Sequence, residues 1–456
     1  MTQSITSNNY TQRKRILFAC PPLDGHFNAL TGLAMHLKSL GHDVRWYTSE
    51  IYADKLKSMG IAHYTFQKAL DVNADNVEEL FPQRKHIKNL IRRLNFDLIN
   101  VFIMRSTEYL EDITGLRNDF HFDAMICDCM FSAIPFVKEK LEVPVITIGI
   151  VPLTASSKSL PPAGLGMTPS YTFWGKIKQD ILRFVADKVL LRKSSNVMKS
   201  LLQHQKVNVS GDNMFDILVR TSTLFLQSGV PGFEYKRSDL GKNIRFTGAI
   251  LPYKIEAKTT KWQHAKLSQY NRVVLATQGT VEKDITKILV PALEAFKNSD
   301  CLLIVTTGGS STKELREKYD QPNIIIEDFI SFDEIMPYAN LYITNGGYGG
   351  VLMAIQHNLP MIVAGVHEGK NQITSRVGYF KIGIDLKTET PEAAKIRNAA
   401  DKIFNDHSYV RNVKMLENEF SSYNSNELCI GYINEALNEK RNQSKRSTTL
   451  EAQPAG

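Results

Sequence analysis

Residues 341–355, LYITNGGYGGVLMAI, join a short apolar run to four glycines within positions 346–350 and then to a second apolar run. This pattern predicts a strand, a glycine turn and a helix start. Glycine lets backbone N–H groups approach an anion closely, and the first turn of a helix carries partial positive charge. The unit therefore suits a phosphate or diphosphate, although a tight turn in an α/β sheet would use the same residue types with fewer glycines. Thr277-Gln278-Gly279-Thr280 and Thr306-Thr307-Gly308-Gly309 repeat the step from strand to glycine. No GxxxxGK[ST] is present, which disfavours ATP-type phosphoryl transfer, and no GxGxxG opens the chain, which weakens a dehydrogenase reading.

A second chemistry resides in His26 and Asp128. His26 lies in the loop PPLDGHFN after the apolar run 16–20, just before Asn28, which reads as a helix N-cap. An imidazole beside a helix N-terminus is biased toward its neutral form, the form a general base needs. Taken alone, such a histidine is more often structural. Asp128 closes the apolar run 124–127, so both residues belong at the carboxyl edge of one sheet. A carboxylate there could bind the imidazole N–H, fix its tautomer and stabilise the imidazolium formed on proton abstraction. Spacing alone does not establish the pair.

The elements that must position these residues alternate between strand and helix patterns. Apolar runs at 16–20, 44–47, 124–127 and 145–150 are separated by helical periodicity, as in Leu30, Leu33, Ala34, Leu37 and Leu40, with Gly41 at the stop. Alternation resumes at 273–277, 302–306, 324–327, 341–344 and 361–364. Two doubly wound parallel sheets follow, joined near residues 240–262, with ligands expected outside the carboxyl ends of the strands. Between them, residues 153–205 open with a Pro/Gly/Ser-rich loop and become helical. They read either as a substrate-pocket wall or as a surface insertion.

A chain of 456 residues, 43% hydrophobic and 22% charged, has the make-up of a soluble globular protein of two or three domains. Its longest apolar stretch, 143–153, holds two prolines and is too short to span a bilayer, and the polar N-terminus lacks an apolar leader pattern. A cytoplasmic location is the resulting expectation. The five cysteines are scattered and read as buried thiols, with no metal site expected. A net charge of +8 suits a phosphate-bearing substrate. The basic run 84–93 has Ile87, Leu90, Ile91 and Leu94 at helical spacing, so an amphipathic helix with a solvated basic face is expected. No aromatic-interleaved basic stripe points to nucleic acid.

Residues 15 to about 438 resemble family 1 glycosyltransferases of the GT-B fold. The segments that carry the resemblance are DGHFNALTGLAMHLKSLGHDV, ICDCMF, ATQGT and DFISFDEIMPYANLYITNGGYGGVLMAIQHNLPMIVAG. The TNGGYGG form resembles a bacterial branch that includes enzymes glycosylating flavonoids, some with rhamnose. The resemblance implies an α/β chain with two facing Rossmann-like domains and an inter-domain cleft. Residues 15–245 would bind the acceptor and 246–410 the sugar nucleotide, while helices at 411–438 would cross back to the first domain. Residues 1–14 and 439–456 would be disordered tails.

By the same resemblance, His26 would deprotonate an acceptor hydroxyl with Asp128 as its orienting partner. The acceptor oxygen would attack the anomeric carbon with inversion, expelling the nucleoside diphosphate. Thr280, Asn345, Gly347, Gly349 and Gly350 would hold the diphosphate, largely through N–H donors, with Gly25, Gly279 and Gly346 beside them. Phe329 and Ile330 match the positions that stack on and hydrogen-bond the pyrimidine base. No cofactor or metal is implied, since the nucleoside-diphosphate sugar is itself a substrate.

The departures from the family pattern bear on the donor. Asn345 stands where the family often has histidine. Met353 stands where users of uridine nucleotides commonly have a glutamate gripping the ribose hydroxyls, and a thioether is a poor substitute acceptor. Leaving those hydroxyls unpaired would cost about 1–3 kcal/mol, a penalty that a 2′-deoxy nucleotide partly escapes. The expected donor is therefore dTDP-rhamnose slightly ahead of UDP-glucose, with Glu368 and Lys370 of the segment HEGKNQ as sugar or phosphate contacts. The expected acceptor is a small aromatic molecule such as a flavonoid. Alternatives are a GT-B sugar-nucleotide epimerase and a non-catalytic sugar-nucleotide-binding protein. A membrane partner is disfavoured, although attachment through residues 84–93 or 171–174 to reach a lipid acceptor would be discriminated by liposome flotation.

Overall fold

The computed structural model describes residues 13–211, 213–253, 262–279, 282–367 and 369–451, with 439–451 described as helix backbone. Thr280 and Glu368 lie outside the described residues. The first sheet contains β1 (Arg15–Ala19), β2 (Asp43–Tyr47), β3 (Ala62–Tyr64), β4 (Ala124–Asp128), β5 (Val145–Gly149), β6 (Leu224–Gln227) and β7 (Ile244–Phe246). The second contains β8 (Val273–Thr277), β9 (Leu302–Thr306), β10 (Ile324–Glu327), β11 (Leu341–Thr344), β12 (Met361–Val363) and β13 (Gly383–Asp385). Their spatial orders are β3-β2-β1-β4-β5-β6-β7 and β10-β9-β8-β11-β12-β13. All of these pairings are parallel.

The strand composition follows from burial on both faces. β4, β5, β8 and β9 are buried at every position, so they read as unbroken apolar runs rather than alternating ones. Successive side chains still point to opposite faces. Ile16 and Phe18 enter one core layer and Leu17 and Ala19 the other. In the second domain Val273 and Leu275 are split from Val274 and Ala276 in the same way.

Each sheet reverses its strand order once, between β1 and β4 and between β8 and β11. Crevices at the carboxyl ends of such switch points are where open α/β sheets bind ligands. The residues that close or follow these four strands include His26, Asp128, Gln278, Gly279 and Asn345.

The division into domains differs in detail from the sequence expectation. β7 runs to Phe246, yet Val230, Phe233 and Ala249 already pack in a core layer of the second domain. The chain thus crosses between the domains over 228–250 and is held there by an antiparallel bridge between Gly229 and Gly248. The helix Ser408–Ser421 stays with the second domain through Val413, Leu416 and Phe420. Only the last helix, Ser425–Glu451, returns to the first, where Cys429, Ile430, Ile433 and Ala436 join the layer beneath Ile16 and Phe18.

That helix continues to Glu451 where a disordered tail from residue 439 was expected. No glycine or proline interrupts the chain between Tyr432 and Gln453, so nothing local stops propagation. Among the described residues, no helix is long and apolar enough to cross a membrane.

Candidate active site

β1 ends in Cys20-Pro21-Pro22, and the helix Asp24–Ser39 begins immediately. Its N-cap is Leu23, without a side-chain cap, and the His26 N–H donates to the Leu23 carbonyl at 2.9 Å. His26 therefore sits within the first helical turn, and Asn28 is not the cap. The prolines end the strand and bring the helix forward, leaving Asn28 inside it, where its Oδ1 accepts from Lys55 Nζ at 2.8 Å.

β1 pairs with β4 in the register Ala19↔Cys127, so Asp128 projects one step beyond the end of β1. The carboxylate is fully buried, and its Oδ1 accepts the Met130 N–H at 2.7 Å. Its Oδ2 lies 2.8 Å from His26 Nδ1, whose ring is 18% exposed. The ring is turned off the line of a well-directed hydrogen bond, which leaves Nδ1 among the buried polar atoms without an aligned partner. With Nδ1 facing the carboxylate, Nε2 is the nitrogen left for a substrate proton.

Cys129 Sγ stands 3.8 Å from the same Oδ2, so His26, Asp128 and Cys129 form a compact set of metal-ligand types. Burial, and then the Asp128 charge, push this thiol well above its ordinary range. It stays protonated and is a poor ligand in that state. The described cysteines are all buried and unpaired.

The second switch point gathers the glycine turns. Gly346 has φ +79°, and Gly347 is the N-cap of the helix Tyr348–Gln356 with no side chain capping it. The first N–H groups of that helix are thus left without a side-chain acceptor at a glycine-lined end. Approach is close on the far side too, since a Cβ on Gly365 would fall 2.2 Å from the Asn345 carbonyl oxygen. The Asn345 side-chain amide donates to the Gln278 carbonyl and ties the turns after β11 and β8 together. Gly279 also has φ +79°.

Gly349 offers a clean probe of this cradle. A Cβ there meets nothing within 4 Å and its φ is unstrained. Gly349→Ala should leave the unfolding transition unchanged while raising the KM for a sugar nucleotide about tenfold or more, because the methyl would occupy ligand space. An unchanged KM would place the diphosphate elsewhere.

The remaining donor-side residues divide by burial. Phe329 is 67% exposed, and its ring edge lies 3.8 Å from where a Gly309 Cβ would be, as suits a stacking platform. Ile330 is buried in a core layer of the second domain. Met353 is half-buried against that same layer. Gly25 is exposed beside His26. Lys370 opens the helix Lys370–Tyr379. Near it, Glu389 accepts the N–H groups of Val366 and His367; burial opposes its charge, but these bonds and the Lys370 charge hold its carboxyl below the usual range.

Sequence reading missed the residues that set one domain against the other. Tyr348 is buried, and its hydroxyl donates across the domain boundary to the Ser228 carbonyl at 2.7 Å. Gly229, at φ +129°, permits the approach, because a Cβ there would lie 2.8 Å from that hydroxyl. Arg376 and Glu234 form an ion pair at 2.8 Å with side chains only 3% and 6% exposed. The other Glu234 oxygen accepts the Leu153 N–H at 2.9 Å, and the Arg376 guanidinium lies 4.3 Å from the Tyr235 ring centroid.

The loop after β5 also reaches the second domain, where the Gly164 carbonyl accepts from Asn371 Nδ2 at 2.9 Å. Segments leaving the carboxyl ends of β5 and β12 thus touch, and the two carboxyl edges face one another. The long partner separations in sequence explain why no local pattern signalled these contacts.

A sequence profile described as UDP-glucoronosyl and UDP-glucosyl transferase matches residues 180–420. The 4'-demethylrebeccamycin synthase of Lentzea aerocolonigenes is 30% identical over 412 residues, covering 90% of this chain and 96% of that protein. UDP-glucosyltransferase 1 of Beauveria bassiana is 29% identical over 432 residues, covering 89% and 92%. Among solved structures, the calicheamicin glycosyltransferase CalG4 superposes with a TM-score of 0.71 at 17% identity, covering 94% of this chain and 99% of that one. Two parallel sheets with facing carboxyl edges, and similarity running nearly end to end, lead to one assignment: the chain belongs to the UDP-glucoronosyl and UDP-glucosyl transferase family and is a glycosyltransferase of GT-B fold.

Proposed function

We propose that this enzyme transfers a sugar, with inversion, from a pyrimidine nucleoside-diphosphate sugar to a hydroxyl of a small aromatic acceptor such as a flavonoid. The observation that carries the reading is the 2.8 Å approach of His26 Nδ1 to the buried Asp128 carboxylate, at the switch point of the domain facing the glycine cradle. His26 Nε2 takes the acceptor proton as the oxygen attacks the anomeric carbon, and Asp128 stabilises the imidazolium that forms. Charge developing on the departing diphosphate meets the N–H groups at the start of the helix Tyr348–Gln356. In this reading no metal ion takes part, because those donors do its work on the leaving group.

For the nucleoside, a thymidine diphosphate sugar, with rhamnose foremost, stands first. Met353 presents an apolar thioether from the helix that starts at the cradle, where ribose hydroxyls would go unpaired. UDP-glucose is the second reading, favoured by the printed names of relatives such as the Beauveria bassiana enzyme. Incubating the protein with a flavonol and a panel of sugar nucleotides, and reading the mass shift of the acceptor, tests both. No transfer from any donor to a broad acceptor set would sink the proposal. Met353→Glu is expected to raise the preference for uridine over thymidine nucleotides by about tenfold, and an unchanged preference would refute the ribose argument.

A further inference from the structure

The helix Phe173–Val185 is turned inside out relative to an ordinary surface helix. At 100° per residue, Phe173, Trp174, Ile177, Ile181 and Phe184 fall within one 100° arc. Four of these are 71%, 77%, 59% and 64% exposed (Phe173, Trp174, Ile181 and Phe184, in that order). The opposite face docks on the protein through polar groups. Buried Gln179 accepts the Ser170 N–H at 2.6 Å and donates to the Ser159 carbonyl, while Arg183 donates to the Leu160 and Lys158 carbonyls. A neighbouring helix, Leu90–Asp97, repeats the inversion.

The sequence led us to expect an amphipathic helix over 84–93 with its apolar side inward. Instead, Pro82 starts a separate short turn, and Asn89 caps the helix by accepting the Arg92 N–H. The buried contact is then Asn95, which donates to the Leu190 carbonyl at 2.6 Å and accepts from the Ser194 N–H, and Leu90, Ile91 and Leu94 are left exposed. Those two bonds seat this helix beside the end of the Phe173–Val185 segment.

The charge around the exposed apolar side chains is mostly positive. Seven Lys or Arg residues and two acidic ones stand between Tyr171 and Lys199, and five and none between Arg84 and Arg93. Asp180 is engaged by Arg183 and Asp187 by Asn213, and in the second segment Arg84 and Lys85 are paired with Asp97 and Glu78, so its positive excess rests on Lys88, Arg92 and Arg93. We infer that these two helices form a docking face for an anionic lipid bilayer. Large exposed aromatic and aliphatic side chains rimmed by Lys and Arg match the interfacial pattern of an apolar layer beneath acidic headgroups. A second copy of this chain fits less well, because an isologous contact would set two basic faces against each other.

The test uses the full chain and vesicles of phosphatidylcholine with or without about one third phosphatidylglycerol. Co-sedimentation with the anionic vesicles, lost at high salt and absent with neutral ones, is expected. Trp174→Ser combined with Phe184→Ser should weaken it by at least about tenfold. Lys178→Gln combined with Lys188→Gln should weaken it by about tenfold as well, with no change in unfolding temperature for either variant. The idea is overturned if the protein ignores anionic vesicles, if neutral vesicles bind equally, or if both variants bind as the parent does. A salt-stable dimer that the serine variant dissolves, without vesicle binding, would assign the face to a second copy instead.

Discussion

Replacing His26 by alanine is expected to lower kcat by about 10²–10⁴-fold while moving the acceptor KM little. In the proposed reaction the imidazole is the base, paired through Nδ1 with the buried Asp128 carboxylate. Asp128→Asn should cost turnover as well, because an amide can hold the ring but cannot stabilise an imidazolium in a fully buried site. The double variant should be little worse than His26→Ala, since both residues serve one proton transfer. Steady-state kinetics with a saturating sugar nucleotide decide the matter. Turnover of His26→Ala within a few-fold of the parent would remove this histidine from the reaction.

Glu234→Ala is expected to be the most destabilising single change at the domain boundary, at about 3–5 kcal/mol. Its removal strands the Arg376 guanidinium, only 3% exposed, and takes the acceptor from the Leu153 N–H. Arg237, a second cation in this region, cannot compensate. It is half-buried, donating to the Ala155 carbonyl, and burial already holds its guanidinium below the ordinary range. The loss is chiefly that of an unpaired charge, so Glu234→Leu with Arg376→Met should recover most of it. Urea midpoints for the parent and the two variants give the comparison. A loss below about 1 kcal/mol for Glu234→Ala would show that water reaches the guanidinium once the carboxylate is gone.

Much of the fold was legible because parallel strands buried on both faces must be written in apolar residues. Runs such as Val273–Thr277 declare themselves that way. The edge strands Ala62–Tyr64, Ile244–Phe246 and Gly383–Asp385 are three residues long and carry no periodicity to read. The switch-point residues were also legible one at a time, since a glycine turn, a histidine or an aspartate beside the end of an apolar run is a local signal, whereas the meeting of His26 with Asp128 was not. The start of the first helix was misjudged by five residues because its cap is the apolar Leu23 and not Asn28, and no capping rule favours leucine. Orientation was harder still. The apolar positions of residues 90–94 have helical spacing, yet whether that face turns inward depends on Asn95 meeting Leu190, a contact 95 residues away.

Tyr348 gives the glycine run at 345–350 a second meaning. The residue that opens the helix proposed to seat the diphosphate is also bolted to Ser228, beside the paired glycines where the chain passes from one domain to the other. The proposed seat and the crossing between the domains share a part. The angle between the two domains therefore cannot change freely without tugging the first turn of that helix, and a tenant in the seat resists the tug. If the diphosphate sits there as proposed, the donor and the crossing between the domains act on one and the same residue.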